Sequence, residues 1–470
     1  MLGKTRETIH FRLRRKNERK DRQTESLATV ESFRRRRLYF FLVPHTRARS
    51  IFPVVGVSSF YQRERDLFVI QSHIDTVAMP PPKHSLSSKR KTTTTTTTTS
   101  SSSIDDDFPP VPKCCVVTGG MGFVGRRLVE MLVERGAEKV VAFDISPKPI
   151  DADPREKRIV WMRGDLTKLA DVKKAVKGAD CVWHIAALVG PYHEKEMYEQ
   201  VNHIGTKNVI EAMKFHGVTK CVMSSSPSTR FDGNDINGLR EDELDFPKVF
   251  LQEYAESKAR GEKAMMKENN NKDFFSVAVA PHQVYGPRDY LFLHNFLLNA
   301  KRLRIFGDGE NLISACFVDN YCHGLILGER ALYPKSPALG KFYICTDGEP
   351  IKLWDMIDNA FVRLGFKSLK SKFRLPGWGF MMPLAKACDL VGYVLGKKFK
   401  LTPFSVRMLL INRYFDISNA KRDLKYEPIY SYEDAWGITM DWFEKEWMPK
   451  HAPDVEVPKS SKSKRGAKRR

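Results

Sequence analysis

A glycine-rich turn between an apolar strand and a helix constrains the fold of this chain more than any other feature. Residues 118–125 read TGGMGFVG and follow the apolar run Cys114–Thr118. The G-x-x-G-x-x-G spacing lets the backbone approach a pyrophosphate, whose charge then faces the N-terminus of the following helix. The turn therefore predicts a dinucleotide site, with cofactor contacts at Gly119, Gly122, Phe123, Val124 and Gly125.

An acidic residue at the end of the second apolar strand predicts which dinucleotide binds. Asp144 follows the run Val140–Phe143 and lies 25 residues after Gly119. A carboxylate at this place accepts hydrogen bonds from both hydroxyls of the adenosine ribose, and it repels a 2′-phosphate. The cofactor is therefore predicted to be NAD.

Short apolar runs alternate with helical stretches as far as about residue 286. Such alternation predicts an α/β fold, a doubly wound parallel sheet of the Rossmann type. We expect an NAD-binding domain over 111–290 and a smaller C-terminal substrate-binding lobe over 291–449, with some return of the chain to the sheet.

Two further strand ends carry candidate cofactor contacts. Residues 164–167 read GDLT, where Asp165 can reach the adenine amino group and Leu166 lies beside it. Residues 184–187 read HIAA, where the small side chains of Ala186 and Ala187 leave room for the cofactor. An Asp at a strand end is also a common helix cap, so that interpretation of Asp165 stays open.

A Y-x-x-x-K pair follows the fifth predicted strand. Tyr254 and Lys258 are four residues apart, so a helix places them on one face. An ammonium group one turn away favours the phenolate and lowers the pKa of the tyrosine toward the working range of a base. Ser226 can hydrogen-bond a substrate oxygen, and Ser224 or Ser225 can point into the cofactor site. The spacing alone is also common on solvated helices.

Taken in order, these segments resemble the extended short-chain dehydrogenase/reductase superfamily. The likeness spans residues 114–447 and includes VNHIGTKNV at 201–209, YAESK at 254–258 and PHQVYGPRD at 281–289. Within the superfamily the chain resembles the 3β-hydroxysteroid dehydrogenases, and among these most of all the decarboxylating sterol-4α-carboxylate 3-dehydrogenases. FGDGENLISACFVDN at 306–320 fits the same group.

The resemblance implies roles for individual residues. Tyr254 is the general base, Lys258 lowers its pKa and holds the nicotinamide ribose, and Ser226 orients the hydroxyl. Asn202 supports the active-site helix or a proton relay. Two residues are implied to pack near the nicotinamide, namely Pro281 and Val284. The chain departs from the pattern at Pro227, after the serine, and at Ala280, where many relatives have Arg.

The implied reaction is NAD-dependent oxidation of the 3β-hydroxyl of a sterol or steroid, with a 4α-carboxysterol losing carbon dioxide afterwards. Three alternatives stay open. A 3β-hydroxysteroid dehydrogenase/Δ5–Δ4 isomerase performs the same oxidation followed by a proton shift. A nucleotide-sugar epimerase or dehydratase shares the first half and needs a polar, basic diphosphate pocket. An NAD-sensing scaffold needs neither Tyr254 nor Lys258.

The formal charge of +22 is concentrated at the two ends of the chain. Residues 1–110 carry +10 and residues 459–470 carry +7, which leaves +5 for the body. We therefore expect no nucleic-acid partner. Residues 1–110 contain an unbroken Thr run at 92–99 and are predicted to be disordered; a transit peptide and a mis-assigned gene start are the alternatives. A basic disordered tail is expected over 450–470.

An apolar segment predicts contact with a membrane surface. Residues 375–396 read LPGWGFMMPLAKACDLVGYVLG between basic flanks, and Pro383 with Lys386 and Asp389 disfavour a membrane-spanning helix. An ordinary lobe helix is the alternative. The family resemblance implies association with the cytosolic face of the endoplasmic reticulum membrane, the cytoplasm or a plastid being alternatives. It also allows a homodimer or a complex with other sterol-demethylation enzymes.

The eight cysteines include no C-x-x-C pair, and most lie in apolar runs. Such usage is typical of a reduced intracellular chain. We therefore expect no metal site.

Overall fold

The computed structural model describes residues 110–190, 193–396, 399 and 401–451. The predictions for the two tails lie outside the described residues, apart from Pro110 and the first two residues of the basic tail, Lys450 and His451. Lys450 and His451 end a short helix.

A seven-stranded parallel sheet forms the centre of the protein, with strand order β11-β7-β5-β4-β1-β2-β3. The α/β fold predicted from the alternating pattern is therefore confirmed. Its strands are β1 Cys114–Thr118, β2 Lys139–Asp144, β3 Ile159–Arg163, β4 Cys181–His184, β5 Lys220–Ser224, β7 Phe275–Pro281 and β11 Phe342–Cys345.

Helices cover both faces of this sheet because successive strand residues point to opposite sides. Val117 packs in one core with α1 and α7, whereas Val116 packs in another with α2, α4 and α5. Full burial of a valine, leucine or methionine side chain in either core contributes about 1.5–3 kcal/mol to the stability of the fold. These helices are α1 Phe123–Glu134, α2 Leu169–Val176, α4 Gly205–His216, α5 Glu253–Lys267 and α7 Val318–Arg330, with the short α3 Lys195–Tyr198 and a π-helical turn Glu199–Ile204 before α4.

A second, four-stranded sheet has the order β12-β9-β13-β6, and a two-stranded pair joins β8 to β10. The strands are β6 Ile236–Leu239, β8 Val284–Tyr285, β9 Leu312–Ser314, β10 Cys316–Phe317, β12 Pro350–Lys352 and β13 Arg413–Phe415. The remaining helices are α6 Leu293–Leu298, α8 Leu353–Arg363, α9 Trp378–Leu395, α10 Pro403–Leu410, α11 Ser418–Leu424, α12 Tyr432–Trp442 and α13 Met448–His451. Short 3-10 turns occur at Pro227–Arg230, Glu241–Glu243 and Leu369–Ser371, and a π-helical turn at Phe443–Trp447.

The two sheets exchange strands across the predicted domain boundary at residue 290. β6 comes from the first segment and pairs with β13, while β11 comes from the second and pairs with β7 in the central sheet. The boundary itself stays a prediction.

A buried histidine connects β1, β4 and α4. His184 receives a hydrogen bond at Nδ1 from the Thr118 hydroxyl at 2.8 Å, and its Nε2 donates to the Thr206 hydroxyl at 2.9 Å. The Thr206 hydroxyl in turn donates to the carbonyl of Asn202 at 2.8 Å. Because its proton is used there, it accepts from His184, and this sets which ring nitrogen of His184 is the donor. Burial, together with the charge of Lys258, lowers the pKa of His184 to about 3, so the ring is neutral.

This neutral histidine predicts acid-sensitive stability. The unfolded chain binds a proton at His184 first, so the free energy of unfolding should fall as pH drops below about 6.5 toward the folded pKa. His184→Gln removes one titrating group and should make that dependence shallower, although it lowers stability at neutral pH. Urea unfolding between about pH 6.5 and pH 4.5 measures both slopes. His216→Gln, which changes a partly exposed histidine, is the control. An equal slope for the parent and His184→Gln would contradict this account.

Candidate active site

A cavity of about 830 Å³ lies at the carboxyl edge of the central sheet. Every residue predicted from the sequence to contact cofactor or substrate lines it, except Asn202. Parallel strands all end at one edge, so residues more than 160 positions apart, such as Gly119 and Val284, reach the same space. The structure thus brings the predicted residues together, while their individual roles stay predictions.

The glycine turn is shaped by close backbone contacts. Gly119 has a φ of +71°, and a Cβ at this position would lie 2.8 Å from the Cα of Ala186. A Cβ at Gly125 would overlap the carbonyl oxygen of Gly119, so α1 can begin directly against the turn only with glycine here. The backbone of this turn therefore stays open to a ligand at the N-terminus of α1.

The two acidic residues at strand ends also shape the loops around them. Asp144 accepts hydrogen bonds from the backbone N–H groups of Met121 at 3.1 Å and Ser146 at 2.9 Å. Asp165 accepts from both the N–H and the hydroxyl of Thr167, at 2.9 and 2.8 Å. Asp165 thus closes a local turn with Thr167 rather than capping α2, whose N-cap residue is Lys168, and it lines the cavity as well.

Tyr254, Lys258 and Ser226 face the cavity from α5 and from the loop after β5. The Lys258 ammonium donates to the carbonyl oxygen of Ser224 at 2.7 Å. The Ser224 hydroxyl is hydrogen-bonded to the Tyr321 hydroxyl at 2.8 Å, so Ser224 is already engaged on the cavity wall. Ser226 begins the turn Pro227–Arg230, and its hydroxyl bonds Ser228 at 2.8 Å. Pro227, where the chain departs from the family pattern, is thus the first residue of a 3-10 turn.

Burial sets the direction of the pKa shifts of Tyr254 and Lys258. Burial raises its pKa, the interaction with Ser226 lowers it, and the nearby Tyr198 raises it further. Burial also lowers the pKa of Lys258 to about 8, against the opposing effect of Glu262. Loss of hydration thus dominates the pKa of both groups, and the expectation that Lys258 lowers the pKa of Tyr254 stays a prediction.

Asn202 does not line the cavity but contacts residues that neighbour it. Its side chain lies in the π-helical turn before α4 and is buried. Its Oδ1 atom accepts a hydrogen bond from the backbone N–H of Leu188 at 2.8 Å. Its Nδ2 atom donates to the Leu188 carbonyl and to the Ser257 hydroxyl, each at 3.1 Å. Ser257 lies between Tyr254 and Lys258, so of the two implied roles the contacts favour support of the active-site helix.

A buried ion pair that the sequence did not reveal holds α5 against the loop after β5. Glu262 binds both terminal nitrogens of Arg230, at 2.7 and 2.5 Å, and the side chains are only 2% and 7% exposed. Ser225 lines the cavity, and its hydroxyl donates to the same carboxylate. The spacing of Glu262, one helical turn after Lys258, was the available indication.

Outside the predicted cofactor contacts, the lining of the cavity is mainly apolar and includes the cation Arg413. Arg413 lies on β13, near His282, and neither residue was singled out from the sequence. The apolar lining includes Val189, Met197, Leu291, Phe292, Phe404 and Met408.

Removing Glu262 should destabilise the protein strongly. Glu262→Ala leaves Arg230 as a buried cation without a counter-charge, so we expect the free energy of unfolding to fall by about 3–5 kcal/mol. Glu253→Ala on the same helix removes a half-exposed partner of Lys195, 3.2 Å away, and should cost at most about 1 kcal/mol. Urea unfolding measures both values. Equal losses for the two variants would contradict the structural role of the buried pair.

Comparison with known proteins agrees with this geometry. The profile of the 3-beta hydroxysteroid dehydrogenase/isomerase family matches residues 116–376. The 3beta-hydroxysteroid-dehydrogenase/decarboxylase isoform 2 of Arabidopsis thaliana is 33% identical over 352 residues, which cover 70% of this chain and 62% of that protein. This chain thus spans less than two thirds of the length of that plant relative.

A human relative is covered more completely. The Homo sapiens sterol-4-alpha-carboxylate 3-dehydrogenase, decarboxylating, is 32% identical over 338 residues, covering 70% of this chain and 88% of the relative. Among solved structures, a Streptomyces venezuelae dTDP-glucose 4,6-dehydratase with NAD bound has a TM-score of 0.55 and 20% identity, covering 72% of this chain and 99% of that one. That likeness concerns the fold alone. By its sequence, the chain belongs to the 3-beta hydroxysteroid dehydrogenase/isomerase family.

Proposed function

We propose that this protein uses NAD to oxidise the 3β-hydroxyl of a sterol that carries a 4α-carboxylate, which is then lost as carbon dioxide. One observation carries the proposal: Tyr254, Lys258 and Ser226 share a single cavity with the glycine turn, and its lining outside the predicted cofactor contacts is mainly apolar. The names of the plant and human relatives, a decarboxylase and a decarboxylating dehydrogenase, support the same substrate class.

The residues at the sheet edge fit NAD. The open backbone around Gly119 suits a pyrophosphate, and Asp144 suits an unphosphorylated ribose. Lys258 and Pro281 lie at the end where the nicotinamide would be held. The cofactor, when bound, supplies an acceptor for hydride from the substrate.

The chain's own groups manage the proton and the substrate oxygen. The Tyr254 phenolate takes the proton of the 3β-hydroxyl while Ser226 holds its oxygen. Burial raises the pKa of Tyr254 in this structure, so the phenolate needs a nearby positive charge, which Lys258 and an oxidised nicotinamide would supply.

Decarboxylation follows from the chemistry of the product. Oxidation gives a β-keto acid, in which the bond between C4 and the carboxylate breaks and its electron pair moves to the ketone oxygen as an enolate. Carbon dioxide leaves, and a proton then returns to the carbon. The hydroxyls of Ser226 and protonated Tyr254 are the donors that can stabilise the enolate oxygen.

Replacing Tyr254 should abolish turnover without abolishing cofactor binding. Tyr254→Phe removes the base, so NADH formation should fall by about 10²–10⁴-fold. NAD affinity, measured by calorimetry, should change little. Tyr333→Phe, which changes an exposed tyrosine outside the cavity lining, should behave like the parent. If Tyr254→Phe keeps most of the activity, the proposed mechanism is wrong.

We propose as well that α9 lies in a membrane interface. The helix runs through Pro383, and eight of its large apolar side chains are exposed over its length: Trp378, Phe380, Leu384, Leu390, Val391, Tyr393, Val394 and Leu395. Lys370 and Arg374 precede it, and further lysines follow it in the sequence. No helix among the described residues is long and apolar enough to cross a bilayer. An amphipathic anchor that lies along the surface accounts for this combination.

The position of α9 also suggests how a sterol enters. α9 packs against α10, with the Arg407 guanidinium 4.9 Å from the ring of Trp378. Phe404 and Met408 on α10 line the cavity. A sterol dissolved in the bilayer would thus meet the cavity beside the anchor. The family resemblance implies the cytosolic face of the endoplasmic reticulum as the membrane concerned.

Charges placed on α9 should prevent vesicle binding. The double variant Leu390→Glu with Val394→Glu keeps good helix formers but puts carboxylates at the apolar surface, so binding should weaken at least about tenfold. Ile150→Glu changes an equally exposed apolar residue outside α9 and is the control. Co-sedimentation with phosphatidylcholine–phosphatidylserine vesicles measures the difference. Equal binding by both variants, or none by the parent, would refute the anchor.

A further inference from the structure

Arg413 is a half-buried cation that lines the cavity. The residue lies on β13, between β9 and β6 of the small sheet. Its Nε atom is fully buried and has no hydrogen-bond partner among the residues that the structure describes. An unsatisfied polar atom of this kind is rare in a folded protein and calls for a physical reason.

The observed partners of Arg413 are neutral. Nη1 approaches Nε2 of His282 at 3.2 Å, and Nη2 donates to the carbonyl oxygen of Met408 at 3.3 Å. Nδ1 of His282 donates to the Ser314 carbonyl oxygen at 2.8 Å, since a carbonyl can only accept. In the neutral ring, Nε2 therefore carries the lone pair that accepts the hydrogen bond from Arg413. Burial and the charge of Arg413 lower the pKa of His282 to about 3, which keeps its ring uncharged.

Among the residues that the structure describes, no carboxylate forms an ion pair with Arg413. Burial lowers the pKa of Arg413 to about 10, which still leaves it protonated at neutral pH. The contrast with Arg230 is direct, because Arg230 binds the carboxylate of Glu262 through two nitrogens. A half-buried cation held by neutral groups is costly for the fold, and an anionic ligand would offset that cost.

The position of Arg413 indicates which ligand group it meets. Its partner His282 directly follows Pro281 at the end of β7, and β7 pairs with β5, which carries Ser224. The guanidinium is therefore on the side of the cavity near Ser226 and Tyr254, whereas a cofactor pyrophosphate would lie at the glycine turn on β1. An anion at Arg413 thus belongs to the substrate.

We propose that Arg413 binds the carboxylate that the sterol carries beside its 3β-hydroxyl. The inference rests on the proposed function and adds the group that selects the carboxylated substrate. Guanidinium and carboxylate make charge-assisted hydrogen bonds, and Arg413 lines the cavity in which such a carboxylate would lie. His282 and Met408 are positioning groups that hold the guanidinium toward the cavity.

The binding role has a kinetic signature. The carboxylate keeps its charge until carbon dioxide leaves, so Arg413 stabilises the bound substrate at least as much as the transition state for that loss. The effect of removing it should appear mainly in KM and in the preference for carboxylated sterol, and less in kcat.

The test compares two substrates, a 4α-carboxysterol and the same sterol without the carboxylate. Arg413→Gln should lower kcat/KM for the carboxylated sterol by about 10²-fold, mostly through KM, and affect the other sterol by a few-fold at most. Arg413→Lys should recover part of the loss, since it restores charge but not the paired geometry. Arg363→Gln, on α8 and outside the cavity lining, changes a half-exposed arginine and is the control, which should behave like the parent.

Stability separates a binding role from a structural one. Because Arg413 has no ion-pair partner in the described residues, Arg413→Gln should melt no lower than the parent by more than a few degrees, with NAD affinity retained. A large loss of melting temperature would overturn the proposal.

The remaining outcomes distinguish the two hypotheses. Equal losses with both sterols would refute the carboxylate site and leave the oxidation intact. A parent enzyme that oxidises neither sterol would refute the proposed function itself. Arg413-dependent turnover of a uridine diphosphate sugar would assign the anion to a diphosphate and overturn the carboxylate proposal.

Discussion

The parallel pairing of seven strands is the constraint on which the rest of this structure depends. The register sets Thr118 opposite both Phe143 and His184, and Ser224 opposite Val279, so neighbouring strands end at the same level. Loops from distant parts of the chain consequently meet at one edge, where the backbone is free of sheet hydrogen bonds. The cavity is thus a product of the sheet, and the small sheet adds its outer wall through β13.

Two arginines show how the same cost is handled in different ways. Arg230 is neutralised by Glu262, and this pair joins the active-site helix to the serine loop. Arg413 meets only neutral acceptors within the described part of the chain, and it faces the cavity. The first arrangement fixes the position of Tyr254 and Lys258. The second leaves an electrostatic demand that a substrate anion would meet.

Local sequence was sufficient for the features whose geometry is local. The turn at 118–125 and the i, i+4 pair of Tyr254 and Lys258 are set by neighbouring residues, so spacing alone placed them correctly around the cavity. Arg413 could not be found in this way, because its partner His282 lies 131 residues earlier and the two meet only after both sheets form. The spacing likewise reports the ammonium near Tyr254 but not the loss of water that raises the pKa of this tyrosine.

In the proposed reaction, one active site oxidises the 3β-hydroxyl of the sterol, and this oxidation leads to loss of the carboxylate on the neighbouring carbon. The most direct measurement incubates the enzyme with NAD and a 4α-carboxysterol labelled in the carboxyl carbon, and counts NADH and labelled carbon dioxide together. The account predicts equal amounts of the two and a 3-ketosterol that lacks the label. NADH without labelled carbon dioxide, and a product that keeps its carboxylate, would contradict it.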